Sequence, residues 1–216
     1  MRLGIFGGTF NPVHLGHLRA AQEVLEEMGL DRILLIPSYQ PPHKSESEVV
    51  SSDHRLEMVR AATADNPAME ASSLEVERGG PSYTHQTLLQ IREQLGSGSP
   101  PYFIAGADAA LEIETWHRYK ELFKLARFII LSRPGQAERK AVFSHLLRIL
   151  PDAYGAGIAP HTLSGSGRYQ DVRYFSCTKM DISSTNIRSL ARSGKSLRYL
   201  VPSSVDDYIQ KRKIYS

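Results

Sequence analysis

Between Phe6 and Leu18 the hydrophobic pattern changes its period, and two adjacent glycines mark the change. Arg2-Leu3-Gly4-Ile5-Phe6 is a short apolar run of the kind that forms a buried strand, and it ends in Gly7-Gly8. From about His14 to Met28, Leu15, Leu18, Ala21, Val24, Leu25 and Met28 fall on one helical face, and Gly29 stops the pattern. Ile33-Leu34-Leu35-Ile36 is a second strand, closed by Pro37. Strand, helix, strand with short connections is a parallel βαβ unit, whose crossover is right-handed in nearly every known case. Few folds begin this way.

The rest of the chain continues the alternation. Ser38 to Ser52, with two adjacent prolines, serines and charges, reads as a loop at the carboxyl end of the second strand. A helix is expected from Asp53, as N-cap, to Ala64. Another is expected from Tyr83 to Leu95, broken by Gly96-Ser97-Gly98-Ser99-Pro100-Pro101. Tyr102–Ala105 and Phe128–Leu131 are further buried strands, and a helix covers about Gln136 to Leu150. Pro151 to Gly167, rich in Gly and Pro, gives no assignment. Val172–Cys177 is the last strand, and helices near Ser184–Arg192 and Val205–Lys211 finish the chain. The fold class is therefore α/β, an open doubly wound parallel sheet that binds ligands outside the carboxyl ends of its strands. The 216 residues suit a single domain, 1–216, with a small C-terminal helical part from about 183 to 216.

Composition narrows the function classes. One cysteine, Cys177, excludes an internal disulfide framework and a Cys-rich metal site, and it fits a reducing, cytoplasmic setting. The longest apolar run, Phe128–Leu131, is far short of the roughly 20 residues of a membrane span, and the N-terminus does not read as a signal peptide. The net charge of +3, with basic residues scattered among acids, suits a small anionic substrate and argues against nucleic acid and membrane partners.

Two segments carry chemistry. Gly7 to His17 lies where a strand hands over to a helix, so its glycines allow close backbone approach and the free N–H groups of the helix start favour an anion. His14 and His17, three residues apart, lie on one face of the first turn and add imidazole donors for phosphate oxygens. A glycine turn with incidental histidines is the alternative, and the residues alone do not choose. Zinc on the two histidines is disfavoured, because Leu15-Gly16 stands where a metalloprotease helix needs its glutamate. Ile182-Ser183-Ser184-Thr185-Asn186-Ile187-Arg188 opens a helix after the last strand. Its hydroxyls can cap that helix or bind phosphate, and Arg188, one turn inside, can reach the same anion.

Gly7-Gly8-Thr9-Phe10-Asn11-Pro12-Val13-His14-Leu15-Gly16-His17 resembles the signature of the nucleotidylyltransferase superfamily related to class I aminoacyl-tRNA synthetases, whose fold is Rossmann-like. Ile182–Arg188 resembles that superfamily's second segment, which grips the β- and γ-phosphates. Many relatives carry Asp at the position of Asn11. The resemblance implies that His14 and His17 are catalytic and that Gly8, Thr9, Phe10, His14, His17, Ser184, Thr185 and Arg188 bind ATP. Pro41-Pro42-His43-Lys44 resembles a PxxK segment, which adds Lys44 as a phosphate ligand, and Arg133 of Leu131–Gly135 stands at another family-like position near the nucleotide.

The acceptor is suggested by Pro81-Ser82-Tyr83-Thr84 and by Gly106-Ala107-Asp108 with Trp116, which resemble segments of the nicotinate mononucleotide adenylyltransferases. That resemblance implies Thr84 and backbone amides near Trp116 and His117 on the pyridine carboxylate, Trp116 stacked on the ring, and Asp108 on the adenosine ribose. Core packing is the other role open to Trp116. Relatives often have Asp where Gln86 stands. The implied reaction transfers AMP from ATP to nicotinate mononucleotide, with Mg²⁺ carried by the ATP phosphates and no protein metal site, in a monomer or homo-oligomer. The alternatives are nicotinamide mononucleotide or another phosphate acceptor such as phosphopantetheine, and a non-catalytic regulator that binds nucleotide or RNA.

Overall fold

The computed structural model describes residues 1–41, 49–96, 98–132, 139–159 and 161–215. The βαβ unit forms as its pattern predicts: strand β1 (Leu3–Gly8), helix α1 (Leu15–Glu27) and strand β2 (Arg32–Pro37). β1 pairs in parallel with β2 from Leu3 opposite Arg32 to Gly8 opposite Pro37. The strand thus runs through both glycines, two residues beyond the apolar run. Helix α2 (Ser52–Thr63) is capped by Ser51, whose hydroxyl oxygen accepts from the His54 N–H, and not by Asp53, which lies in the first turn. There its charge faces the positive end of the helix dipole.

Two short elements escaped the sequence reading: β3 (Met69–Ala71), paired in parallel on the outer edge of β2, and α3 (Leu74–Arg78). Three and five residues are too few for a period to show. Helix α4 (Thr84–Leu95), strand β4 (Tyr102–Gly106) and strand β5 (Arg127–Leu131) follow the expected positions. Between β4 and β5 lie α5 (Ala107–Leu111), a 3₁₀ turn (Ile113–Thr115) and α6 (Tyr119–Leu125), none of them read from sequence. Helix α7 (Arg139–Ile149) precedes the segment that gave no assignment. That segment is an antiparallel hairpin, β6 (Tyr154–Ala159) and β7 (Thr162–Gly165), with an irregular register. Strand β8 (Val172–Phe175), helix α8 (Ser184–Arg192) and helix α9 (Ser203–Arg212) complete the order.

The described strands form one sheet in the order β3-β2-β1-β4-β5-β8-β7-β6. Its first six strands are parallel neighbours, and the hairpin adds an antiparallel edge through β7 on β8. The sheet is therefore mixed, a common extension of a doubly wound core. Both faces are covered, and the strands alternate between them. Ile5, Phe103, Phe128 and Ile130 pack with α4 to α7, while Phe6, Ile104, Ile129 and Leu131 pack with α1, α2, α8 and α9. That alternation is the period of a strand buried on both sides. Residues of the C-terminal part, including Ile187, Val205 and Ile209, lie in the same apolar cluster as β1 and α1. No described helix is long and apolar enough to cross a membrane.

Gly4 sits where β1 is tightest. A Cβ there would meet Ile33 Cγ1 at 2.8 Å and Leu30 Cδ1 at 2.9 Å, and Ile33 is fully buried. Gly4→Ala should therefore destabilise the fold by about 1–3 kcal/mol through overpacking. Thermal unfolding should show a loss of roughly 2–4 °C per kcal/mol. An unchanged midpoint would mean that the two neighbours yield at no cost.

Candidate functional site

The strand order reverses between β1 and β4, and at the carboxyl ends of those strands lies a cleft of about 520 Å³. An open α/β sheet leaves such a crevice at its switch point. Its walls come from the end of β1 and the loop after it (Gly7 to Asn11), from the start of α1 (His14, His17), from Gly106 and Asp108 after β4, and from Ser183 to Thr185 with Arg188 at the start of α8. Ser82, Thr84, Glu75 and Trp116 line it as well. The two sequence segments that carry chemistry thus meet at one place, although they lie at opposite ends of the chain.

The loop from Gly8 to His14 is held by its carbonyl groups. The Gly8 carbonyl accepts from the Ser38 N–H at 2.9 Å. The Thr9 carbonyl accepts from Arg55 Nη1 at 2.9 Å, the Asn11 carbonyl from Arg188 Nη1 at 3.0 Å, and the Pro12 carbonyl from the Ser184 hydroxyl at 2.9 Å. In a trans peptide the C=O and the following N–H point in opposite directions. Anchoring the Gly8 and Thr9 carbonyls therefore turns the Thr9 and Phe10 N–H groups away from those anchors. Phe10 takes a left-handed backbone, φ 48°, and its buried ring packs edge-on to Phe6 and His17. A non-glycine residue in that region stores strain, which the aromatic contacts and the anchored carbonyls offset.

His14 and His17 are stacked, with ring centroids 3.6 Å apart and planes inclined by 30°. The His14 backbone N–H donates to His17 Nδ1 at 3.3 Å. Nδ1 is thereby the acceptor, so a neutral His17 carries its proton on Nε2 and presents it as a donor. Gly16 explains itself here: a Cβ at that position would stand 3.1 Å from His14 Nδ1. A side chain at position 16 would press on the His14 ring, which would have to shift by a few tenths of an ångström.

At the start of α8 Ser183 caps the helix, its oxygen accepting from the Asn186 N–H at 3.2 Å. Because the Ser184 hydroxyl donates to Pro12, what Ser184 offers a ligand is its backbone N–H at the helix start. Thr185 Oγ1 accepts from Arg188 Nη2 at 3.3 Å, which leaves its own O–H to donate elsewhere. Asp108, in the first turn of α5, and half-buried Thr84, the first residue of α4, both line the cleft. Trp116 does so as well, with its ring edge-on to Phe103, so it packs on the core and faces the cleft at once. His117 is exposed, and its ring lies 4.7 Å from that of Tyr83, outside the cleft lining. Lys44 and Arg133 lie outside the described residues.

Arg55 was not singled out from the sequence, where it looks like one more charge on an amphipathic helix. It is 1 % exposed. Its guanidinium donates to the carbonyls of Val50, Thr9, Ser38 and Tyr39 at 2.9, 2.9, 2.5 and 3.0 Å. Desolvation pulls its pKa down to about 10, partly countered by Tyr215 and Glu75, so it stays charged at neutral pH. Glu75 and Thr87, also missed, meet inside the cleft wall, where the Thr87 hydroxyl donates to Glu75 Oε1 at 2.5 Å. Neither residue lies in a recognisable motif.

Residues 5–190 match the family model described as cytidylyltransferase-like. The chain is 44 % identical over 219 residues, covering the whole of both chains, to a protein of Desulfatibacillum aliphaticivorans named "Probable nicotinate-nucleotide adenylyltransferase". It is 41 % identical to a protein of the same name from Geobacter metallireducens, covering 100 % of this chain and 99 % of that one. In fold it is similar to the nicotinic acid mononucleotide adenylyltransferase of Plasmodium falciparum complexed with NaAD. The TM-score is 0.72, with 17 % identity and coverage of 99 % and 97 % of the two chains.

Arg55→Leu should lower stability by about 3 kcal/mol, because four carbonyls, that of Ser38 fully buried, lose their donor at once. Arg55→Lys, which keeps a charge and loses the fork, should fall between. Urea unfolding measures both. A loss below about 0.5 kcal/mol in the leucine variant would show that the clamp contributes nothing to the fold.

Proposed function

The chain belongs to the cytidylyltransferase-like family and, within it, to the nicotinate-nucleotide adenylyltransferases, and from that premise we propose that it transfers AMP from ATP to nicotinate mononucleotide. The products are deamido-NAD and pyrophosphate, a step in NAD synthesis. The observation that carries this reading is the switch-point cleft itself. A backbone loop with its carbonyls anchored, two stacked histidines and Arg188 line it together with Thr84 and Trp116.

A phosphate oxygen of the mononucleotide attacks the α-phosphorus of ATP. The bond from that phosphorus to the bridging oxygen breaks, and the electron pair leaves with pyrophosphate. The nucleophile is already ionised at neutral pH, so no side chain need remove a proton, and catalysis rests on alignment and charge stabilisation. His14 and His17 take the catalytic role, His17 through its Nε2–H. The N–H groups of Thr9 and Phe10, with the backbone at Gly8, receive phosphate oxygens, as do the Ser184 N–H, the Thr185 hydroxyl and the Arg188 fork. Asp108 accepts from ribose hydroxyls of ATP, and Lys44 and Arg133 are further ATP ligands. Mg²⁺ offsets charge on the triphosphate. Thr84 and the backbone near Trp116 and His117 take the pyridine carboxylate, and the Trp116 ring stacks on the pyridinium. The lone Cys177 supports a reducing, cytoplasmic setting.

Pyrophosphate release with ATP and each candidate acceptor tests the reading directly. Nicotinate mononucleotide should be preferred to its amide by a large factor, up to ~10⁴, because backbone N–H donors cannot pair with the amide's NH₂. Equal kcat/KM for the two would sink the acid assignment and spare adenylyl transfer. Absence of turnover with either would favour a binding protein that kept the fold.

His17→Ala should lower kcat about 10²–10³-fold with unchanged circular dichroism, since it removes one aligned donor to the charge of the transition state. Near-normal turnover in a folded variant would take His17 out of the mechanism.

A further inference from the structure

Tyr215 follows α9 and is buried beneath the phosphate-binding loop, 8 % exposed. Its hydroxyl donates to Asn11 Oδ1 at 2.8 Å, joining residues 204 positions apart in a bond that is itself buried. The same Oδ1 accepts from the Val50 N–H at 3.4 Å, and the backbone carbonyl of Asn11 accepts from Arg188. Asn11 is therefore a joint: its side chain is fixed from below by Tyr215, and its main chain orients the guanidinium that enters the cleft. The Tyr215 phenol is pushed up by burial and lowered again by the nearby charges of Arg188 and Arg55, which puts it electrostatically within reach of both arginines that hold the loop. Its backbone is left-handed, φ 68°. A tyrosine pays in strain for that conformation, and here it seats the phenol against Asn11.

We propose that Tyr215 is a positioning residue for triphosphate binding: its hydroxyl fixes Asn11, and Asn11 in turn sets Arg188 against the outer phosphates. The proposal rests on the reading of Arg188 as an ATP ligand. Tyr215 is not among the residues lining the cleft, and Tyr215→Phe keeps the ring and the packing while removing only the donor. What is lost is one hydrogen bond to a residue that touches the site.

The test is an equilibrium titration of full-length protein with ATP and Mg²⁺, comparing the parent, Tyr215→Phe, Arg188→Ala and the double variant, with thermal unfolding recorded alongside. Tyr215→Phe should weaken ATP about three- to tenfold, the worth of one net hydrogen bond. In the Arg188→Ala background the same change should cost less than about twofold, because its route to the ligand is gone. Steady-state kinetics on Tyr215→Phe should raise KM for ATP and leave KM for the mononucleotide within about twofold. An equal penalty in both backgrounds, or unchanged ATP affinity, would reduce Tyr215 to a structural brace. Should Tyr215→Phe fail to fold, Asn11→Ala paired with Arg188→Ala reads the same coupling one link nearer the site, and additivity there would overturn it. Because ATP affinity is read without turnover, an inactive parent would count against the adenylyl-transfer reading alone.

Discussion

The structure turns on the anchoring of a few carbonyl groups. A loop binds anions well when its N–H groups converge, and a free glycine loop has no reason to keep them so. Here the carbonyls of Gly8, Thr9, Asn11 and Pro12 are each taken by a donor from another element. The opposite faces of the Gly8 and Thr9 peptides are thereby turned away from those donors and held there. Such preorganisation is what separates an electrostatic site from a merely polar surface, because no reorientation is left for the moment of reaction.

This anchoring also accounts for the distance in sequence between the parts. The doubly wound order places β1 in the middle of the sheet, so the loop after it is surrounded by the ends of β2 and β4 and by the helices that follow β2 and β8. Arg55 comes from α2, Ser184 and Arg188 from α8, and Ser38 from the residue after β2. A change that loosens any of these elements reaches the loop without touching a ligand. The same arrangement lets Arg188 serve twice, with one nitrogen on the Asn11 carbonyl and another on Thr185.

The strand–helix–strand opening, the sites of the main parallel strands and the two segments that line the cleft were legible because each leaves a mark in local sequence: a period, a glycine pair, or histidines one turn apart. β3 and α3 were not, being shorter than the patterns that reveal them. The hairpin β6–β7 was hidden by its Gly and Pro content, which reads as loop until a neighbour such as β8 supplies hydrogen bonds. Arg55 illustrates the deeper limit. An arginine on a helix is ordinarily solvated, and only the converging backbone of Thr9, Ser38, Tyr39 and Val50 gives this one a buried role. Asp53 failed in the opposite direction, as a good capping residue displaced because Ser51, two positions earlier, has its oxygen on the His54 N–H. Tyr215, 204 residues from its partner, leaves no local trace at all.

The cleft lining carries groups of both signs, and on the proposed reading each meets a different part of the substrates. His14, His17 and Arg188 line it together with the loop after β1, and so do Asp108, Glu112 and Glu75. A dinucleotide carries its negative charge in the middle and its hydroxyl donors on the flanking riboses. Donors such as Arg188 suit the phosphates and a carboxylate such as Asp108 suits ribose hydroxyls, whereas phosphates set against carboxylates in a partly desolvated cleft would be repelled strongly. On that reading the charge pattern of the lining favours one pose over its inverse. Both phosphates are then held by the same donors, which aligns the attacking oxygen with the α-phosphorus. Because that oxygen is already ionised, the proposed step needs no base.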